Sequence, residues 1–585
     1  MRRIALLVVA VAVVGASAPA AGGANEPMSR FQGTLPNGRP IPMYTSVLPQ
    51  HPGVDAPRAR AARTEGCSNV FSAPGRPDNV RVVQDCGYLQ QAEEWVDVNP
   101  ADPRNIVVSQ NDGSGVDTSY NQTSVSPSLS GGDSWYHNTV PPGLNRVPTS
   151  QGDTFAYPRC SDPASAHDRH GNLYYSCTAF TAPYGLESGV LVWKSNHCYK
   201  GTYLHSPLDA SCSEPALHAR PVTVVDNLGE GELRYSWDKE LMAVDRYGDS
   251  PYDGAVYVTA TRFDFACGAD QTSYCESPIF FFRSNDGGIT WSGTEISGTN
   301  SDVCISGDVF DPAQDASRCN FDQGSFPVVE RDGSIDVVFE NCNTPTLVCQ
   351  QLFVRSADGG ATWSAPVHVA DDAALQPINL GDEPDRYGCP PGNPCLAPNG
   401  YRMNDFPSMG VDLKTGKLAV FWADFRHGGP CAVDLGTGLP VEPCDNHNND
   451  VFVAVSTDHG ATWGRTRAVA RAPSAQWQPW GDVGENGTLY VAYYDRRFGN
   501  AEKTGKNDIT LAISENDGKT WRHRRITTDS MPNLTCRNNP VMCGFLGDYM
   551  SLQWFRGDVY VVWGDTRPRT GTTPESDTYF ATLHV

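Results

Sequence analysis

At 585 residues the chain is long enough for several domains or for one large repeat array. Its formal charge of −23 excludes the basic face that nucleic-acid phosphates or an anionic membrane surface would require. Its 18 cysteines form an even set without one C-x-x-C pair, which argues for disulfide staples and against a zinc site.

The chain opens as a secretory signal peptide over residues 1–24. Met1-Arg-Arg precedes an apolar run at 4–14, and small residues close it. That run is too short to span a bilayer, and no later stretch approaches ~20 apolar residues. Residues 25–66 are rich in Pro, Ala, Arg and Gly without periodicity and read as a flexible leader. Residues 67–585 read as the folded part. Its cysteines suggest local pairs: Cys67/Cys86, Cys160/Cys177, Cys198/Cys212, Cys267/Cys275, Cys304/Cys319, Cys342/Cys349, Cys389/Cys395, Cys431/Cys444 and Cys536/Cys543.

From there on the chain repeats one unit. An apolar strand is followed by a Gly turn, then a strand rich in Val, Tyr and Trp, a third strand, a tight turn and a fourth strand. The unit recurs at 95–110, at 164–194, at 241–261, at 325–369, at 406–470 and at 480–527, and a last copy at 549–583 stops after its third strand. A strand at 79–83 matches the missing fourth one, so the two ends are expected to share a blade and close a ring, which removes two sheet edges. No amphipathic helix stands out.

The turn before the fourth strand carries near-copies of an octapeptide: SNDGGITW at 284–291, SADGGATW at 356–363, STDHGATW at 456–463 and SENDGKTW at 514–521, with a decayed SLSGGDSW at 128–135. In each, Asp or Asn caps its own turn, Gly takes positive φ, Thr resumes an extended strand, and Trp is available for burial between sheets. The pattern S-x-D-x-G-x-T-W is the Asp box, and the chain resembles the sialidase-like, BNR-repeat β-propellers of the neuraminidase superfamily, secreted bacterial type. The fold expected is all-β, a single propeller of seven blades. Six, the number in known sialidases, is the alternative.

Connectivity puts the octapeptides on one face of the ring, so chemistry is sought on the other. Aligning units on their Gly turns places Asp238, Asp405 and Asp548 at one register, just before the inner strands. Three convergent carboxylates would form an acid/base set or take up Ca²⁺. Against this, each Asp is read as a cap at the start of a strand. Second strands end in Asp424-Phe-Arg426, Asp495-Arg-Arg497 and Asp565-Thr-Arg567, while Glu340 takes the corresponding place in the fourth unit. Arg426, Arg497 and Arg567 either grip a carboxylate together or make salt bridges between blades. Sialidases use an arginine triad, a Tyr–Glu nucleophile pair and an Asp acid/base, and the resemblance points to Tyr494, Tyr549 and Glu340 for the pair. The F/Y-R-I-P motif that carries the first arginine in sialidases is missing; Tyr157 with Arg159, and Tyr401 with Arg402, are poor substitutes. His167, His170, His197 and His205 read as surface residues.

The resemblance implies a secreted sialidase-like glycoside hydrolase of the exo-α-sialidase class, acting as a monomer on a glycan or glycoconjugate, with no cofactor required and Ca²⁺ as the one metal admitted. The alternative is a propeller that binds glycans or proteins without catalysis.

Overall fold

The computed structural model describes residues 69–585 apart from 85–90, 113–121, 137–143, 145–146, 158, 181–186, 203–220, 229–234, 265–275, 307–314, 316, 345–348, 374–394, 397–400, 403, 428–447, 499–503, 533–545 and 568–575. The signal peptide and leader expected at 1–66 lie outside these residues. So do one or both cysteines of the pairs Cys67/Cys86, Cys198/Cys212, Cys267/Cys275, Cys389/Cys395, Cys431/Cys444 and Cys536/Cys543.

Seven antiparallel blades form the molecule, as the repeat predicts. Their inner strands are Gln91–Val98, Arg159–His167, Tyr235–Val244, Asp322–Val329, Ser408–Asp412, Gln476–Val483 and Ser551–Phe555, for blades 1 to 7 in chain order. Each inner strand contacts that of the next blade, and blade 7 contacts blade 1, so the sheets close into a ring. Among the described residues, no helix is long and apolar enough to cross a membrane.

The second strands explain why the units read as unbroken apolar runs. Ile106–Asp112, Leu173–Phe180, Ile335–Asn341 and Leu489–Asp495 are buried at every position, because each blade packs a neighbour on both faces. The outer strand of blade 3 shows the reverse: every residue of Ser292–Glu295 is exposed.

Blade 7 takes its outer strand from the other end of the chain. Asn79–Arg81 pairs with Asp577–His584 in the register Val80↔Phe580 and Arg81↔Tyr579, which is the expected closure. Val70–Phe71 adds a fifth strand outside it, which the sequence did not announce.

The octapeptides form the predicted turns. In the second, the Ser356 hydroxyl accepts the Gly360 amide at 2.7 Å, and Asp358 accepts the Thr362 amide at 2.8 Å and the Thr362 hydroxyl at 2.6 Å. Those bonds, the Thr362 hydroxyl first, hold the Asp358 carboxyl down at about 2. Gly360 has φ +87°, and a Cβ there would lie 2.2 Å from the Phe281 ring of the preceding blade. Trp363 meets the same ring edge-on at 4.8 Å. Trp463 on Phe353 and Trp135 on Phe580 repeat the contact. Each turn thus locks its blade to the one before, and Trp135 closes the ring from blade 1 to blade 7. The tryptophans at 291, 363, 463 and 521 stay half-buried.

Disulfides join Cys160 to Cys177, Cys304 to Cys319, and Cys342 to Cys349, all as expected from adjacency. Cys198 is disulfide-bonded as well.

Candidate functional site

Five inner strands carry the same irregularity near the face opposite the octapeptides. Pairing slips between Ala92 and Trp95, Ser161 and Ala164, Asp238 and Leu241, Gln323 and Phe326, and Trp477 and Trp480. The first residue inside each bulge has positive φ: Glu93 +59°, Asp162 +58°, Lys239 +55°, Gly324 +63° and Gln478 +47°. Only one of these is glycine, so the other four adopt a conformation that L-residues disfavour by roughly 1 kcal/mol or more each. The bulge re-aims a side chain that a regular strand would pack between sheets.

The re-aimed groups meet at the axis. Lys239 Nζ lies 2.5 Å from Asp548 Oδ2, 3.2 Å from Asp162 Oδ2 and 3.9 Å from Glu93 Oε1, residues drawn from blades 3, 7, 2 and 1. The Asp548 amide donates to Glu93 Oε1 at 3.1 Å, and the Lys239 amide to Asp238 Oδ1 at 2.9 Å. Glu240 accepts the Thr178 hydroxyl. All these side chains are buried.

One ammonium serves more carboxyls than it can neutralise. Burial alone would lower the pKa of Lys239, but Asp162, Asp548, Glu93 and Asp238 outweigh it and raise the lysine above its usual value. Burial, followed by the charge of Asp162, pushes Glu93, Asp238 and Glu240 well above the ordinary carboxylate range. Burial and mutual repulsion thus favour the protonated form of Glu93, Asp238 and Glu240 beside the Lys239 ammonium.

Aromatic residues follow three of the bulges, Trp95, Phe326 and Trp480, and Tyr549 of blade 7 joins them. Trp95, Phe326, Trp480 and Tyr549 pack together, with ring centroids 5.0 Å apart for Phe326 and Trp480, 5.5 Å for Trp95 and Trp480, and 5.8 Å for Trp480 and Tyr549. A cavity between charge and aromatics is lined by Asp162, Lys239, Glu240, Asp548, Trp480 and Tyr549, among others.

Of the aspartates expected to converge, Asp238 and Asp548 share this cluster and Asp405 does not. Asn404 and Phe406 line the cavity, and the intervening Asp405 faces away, as alternation in extended chain requires. It meets Glu340 and Asp372 instead, with carboxylate oxygens of all three within 4.8 Å of one another. Burial pushes the Glu340 carboxyl up to about 7.

The arginines form no shared pocket. Arg426, Arg497 and Arg567 each turn back on the aspartate two residues earlier, with Nε 2.9, 2.8 and 2.9 Å from the nearer oxygen of Asp424, Asp495 and Asp565. The same aspartates accept the arginine amides at 3.0, 3.0 and 2.9 Å. These pairs lie within one loop, not between blades. Arg426 also stacks on Phe452, and Arg567 on Phe71, with distances of 4.4 and 4.0 Å to the ring centroids.

The two tyrosines part company. Tyr549 lines the axial cavity and donates to Pro163 O at 3.1 Å. Tyr494 is fully buried between blades 6 and 7, where its hydroxyl donates to Gly564 O at 3.0 Å and accepts the Gly564 amide at 3.1 Å. Glu340 gathers instead with Asp372 and Asp405, and among the described residues no hydrogen bond pairs it with either tyrosine. His167 is fully buried, not on the surface, and bonds Asp97 at 2.6 Å.

Sequence reading missed Glu93, Lys239 and Glu240. The signal was present as a two-residue insertion before the residue at which pairing resumes: Glu93-Glu94 before Trp95, Lys239-Glu240 before Leu241, and Gln478-Pro479 before Trp480.

No family model matches the sequence, and no curated protein matches it. Among solved structures, the phage phi92 endosialidase aligns with a TM-score of 0.40 and 10% identity, covering 88% of this chain and 69% of its own. The NanB sialidase of Streptococcus pneumoniae aligns with a TM-score of 0.37 and 10% identity over 88% and 71%. An alpha-L-arabinofuranosidase of Fusarium graminearum aligns with a TM-score of 0.37 and 11% identity over 72% and 92%. Likeness at this level assigns no residue and no activity to the chain.

Proposed function

We propose that this chain is an exported glycoside hydrolase that works on glycans at the axial cluster of its propeller. The supporting observation is the gathering of Glu93, Asp162 and Asp548 around Lys239, with Asp238 and Glu240 beside them and aromatic rings beneath. Glycoside hydrolysis needs a carboxylic acid to protonate the leaving oxygen and a carboxylate to attack the anomeric carbon or activate water. Asp548, ion-paired to Lys239, is the carboxylate. Asp238 and Glu240, whose pKa values burial and the charge of Asp162 raise, are the candidates for the acid. Trp480 and Tyr549 offer faces for a sugar ring. Arg426, Arg497, Arg567 and Tyr494 receive no substrate contact in this proposal, because the scaffold engages their polar atoms. Disulfides support export to an oxidising compartment.

The finer assignment, an exo-α-sialidase, rests on the octapeptides and the Asp, Glu, Arg and Tyr residues read with them, and Arg426, Arg497 and Arg567 do not offer it a free clamp. The test is release of a chromophore from a panel of aryl glycosides that includes an α-sialoside and an α-L-arabinofuranoside. Turnover abolished by Asp548→Asn supports the proposal, and turnover of the sialoside alone supports the finer assignment.

A non-catalytic glycan-binding propeller is the second reading. The self-paired arginines and the buried Lys239 tie favour it. Glycan binding that survives Asp548→Asn, in a protein that turns over nothing in the panel, would establish it over the first.

A further inference from the structure

We propose that Glu340, Asp372 and Asp405 form a Ca²⁺ site between blades 4 and 5, separate from the axial cluster. The three residues come from different stretches of chain. Glu340 is the penultimate residue of the second strand of blade 4, Ile335–Asn341, Asp372 ends its outer strand, Val367–Asp372, and Asp405 lies on the segment leading into blade 5. Their carboxylate oxygens lie within 4.8 Å of one another, and all three side chains are buried.

That spacing has a simple meaning. Ca²⁺ holds oxygen ligands at about 2.3–2.6 Å, so oxygens on opposite sides of one ion stand up to roughly 5 Å apart. A smaller cation such as Mg²⁺ draws its ligands in to about 2.0–2.1 Å and prefers to keep water. An all-oxygen set offers nothing to a soft metal.

Two orphans point into the same place. Glu340 is 5% exposed, and its carboxylate makes no hydrogen bond or ion pair among the described residues. Asp372 is fully buried, and its Oδ1 has no partner. Its Oδ2 accepts Gln351 Nε2 at 2.6 Å, and the same amide nitrogen reaches Asp405 O at 3.1 Å. Gln351 sits directly across from Glu340 in the ladder, and its Oε1 is a further buried orphan. No ion pair joins Glu340 or Asp372 to a Lys or Arg among the described residues. The charge of Arg426 reaches Asp372, but its guanidinium is ion-paired to Asp424; buried carboxylates short of a partner cost several kcal/mol each, and a bound Ca²⁺ would add the charge and fill the orphan oxygens. The Cys342–Cys349 disulfide holds the two strands together beside Glu340, which keeps the donors in place without metal.

The experiment is calorimetric titration of the chelator-stripped full chain with CaCl₂ and, separately, MgCl₂, together with melting scans in Ca²⁺ and in EDTA. One Ca²⁺ per chain, weaker or no binding of Mg²⁺, and a higher Tm with Ca²⁺ are expected. Asp372→Asn and Glu340→Gln should each abolish the binding and the Ca²⁺-dependent rise in Tm. In EDTA the same variants should melt at or above the wild-type temperature, because each removes like-charge repulsion. Asp548→Asn, which alters the axial cluster, should bind Ca²⁺ as the wild type does. No Ca²⁺ binding, or binding unchanged in both Asp372→Asn and Glu340→Gln, would overturn the site.

Discussion

Lys239 Nζ of blade 3 and Asp548 Oδ2 of blade 7 lie 2.5 Å apart, and the two blades face each other across the ring. A single lysine therefore ties the far side of the propeller through its axis. It can do so because its own backbone is held at φ +55°.

Replacing Lys239 by Met should leave Glu93, Asp162 and Asp548 buried without their cation. A loss of roughly 3–5 kcal/mol is expected, since breaking a buried pair strands the remaining charge. Glu93 and Asp238 have folded pKa values above their unfolded ones, so their contribution is present at low pH and lost as pH rises through the raised values. The deficit of Lys239→Met should accordingly shrink toward acid pH. Urea unfolding at several pH values checks both points, and a pH-independent loss below 1 kcal/mol would count against the axial tie.

At the octapeptide face, Asp97 plays the opposite part. It accepts the His167 amide at 2.7 Å, His167 Nδ1 at 2.6 Å, and Arg246 Nη1 and Gln553 Nε2 at 3.2 Å each, linking blades 1, 2, 3 and 7. Burial alone would raise its carboxyl, but the His167 hydrogen bond and the Arg246 charge prevail and lower it. A depressed carboxyl stabilises above its unfolded value and loses that contribution as pH falls through the folded one. Asp97→Asn should cost about 1–3 kcal/mol at neutral pH and flatten the wild-type loss of stability below about pH 4. An acid limb unchanged in Asp97→Asn would contradict this.

The turns are expected to be intolerant of side chains. Gly360→Ala meets both a positive φ and the Phe281 ring 2.2 Å away, so a loss of roughly 2–4 kcal/mol is expected. Gly254, also at positive φ but with open space around it, should lose only about 1 kcal/mol when changed to Ala. Equal losses at the two positions would remove the close contact from the explanation.

Arg497 offers a discriminating substitution. Its guanidinium is held by Asp495 and by the Tyr493 hydroxyl at 3.0 Å. Arg497→Ala should lower stability by about 1–3 kcal/mol, most of it from the stranded Asp495, and leave KM for any glycoside substrate unchanged. A selective rise in KM without a fall in Tm would return the arginine to substrate binding.

These residues show what a single sequence reveals. Octapeptides, second strands and the shared seventh blade were legible because each is local: a turn that needs Gly, a strand apolar on both faces, a strand short of a partner. The axial cluster was half legible. Asp238 and Asp548 stood out by register, but Glu93, Lys239 and Glu240 sit on bulges whose left-handed conformation their side chains do not advertise. Asp405 was misplaced for a related reason, since one step along an extended chain reverses the direction of a side chain. The arginines were visible as a repeat, yet nothing in D-x-R tells whether the guanidinium reaches a ligand or folds back on its own aspartate.

The central claim, that the axial carboxyls hydrolyse glycosides, is tested most directly by chromophore release from the aryl glycoside panel with wild type and Asp548→Asn side by side. The wild type should turn over at least one substrate, and Asp548→Asn should lose about 10²-fold or more in kcat while remaining folded. No turnover by the wild type across the panel, or full activity in Asp548→Asn, would contradict it.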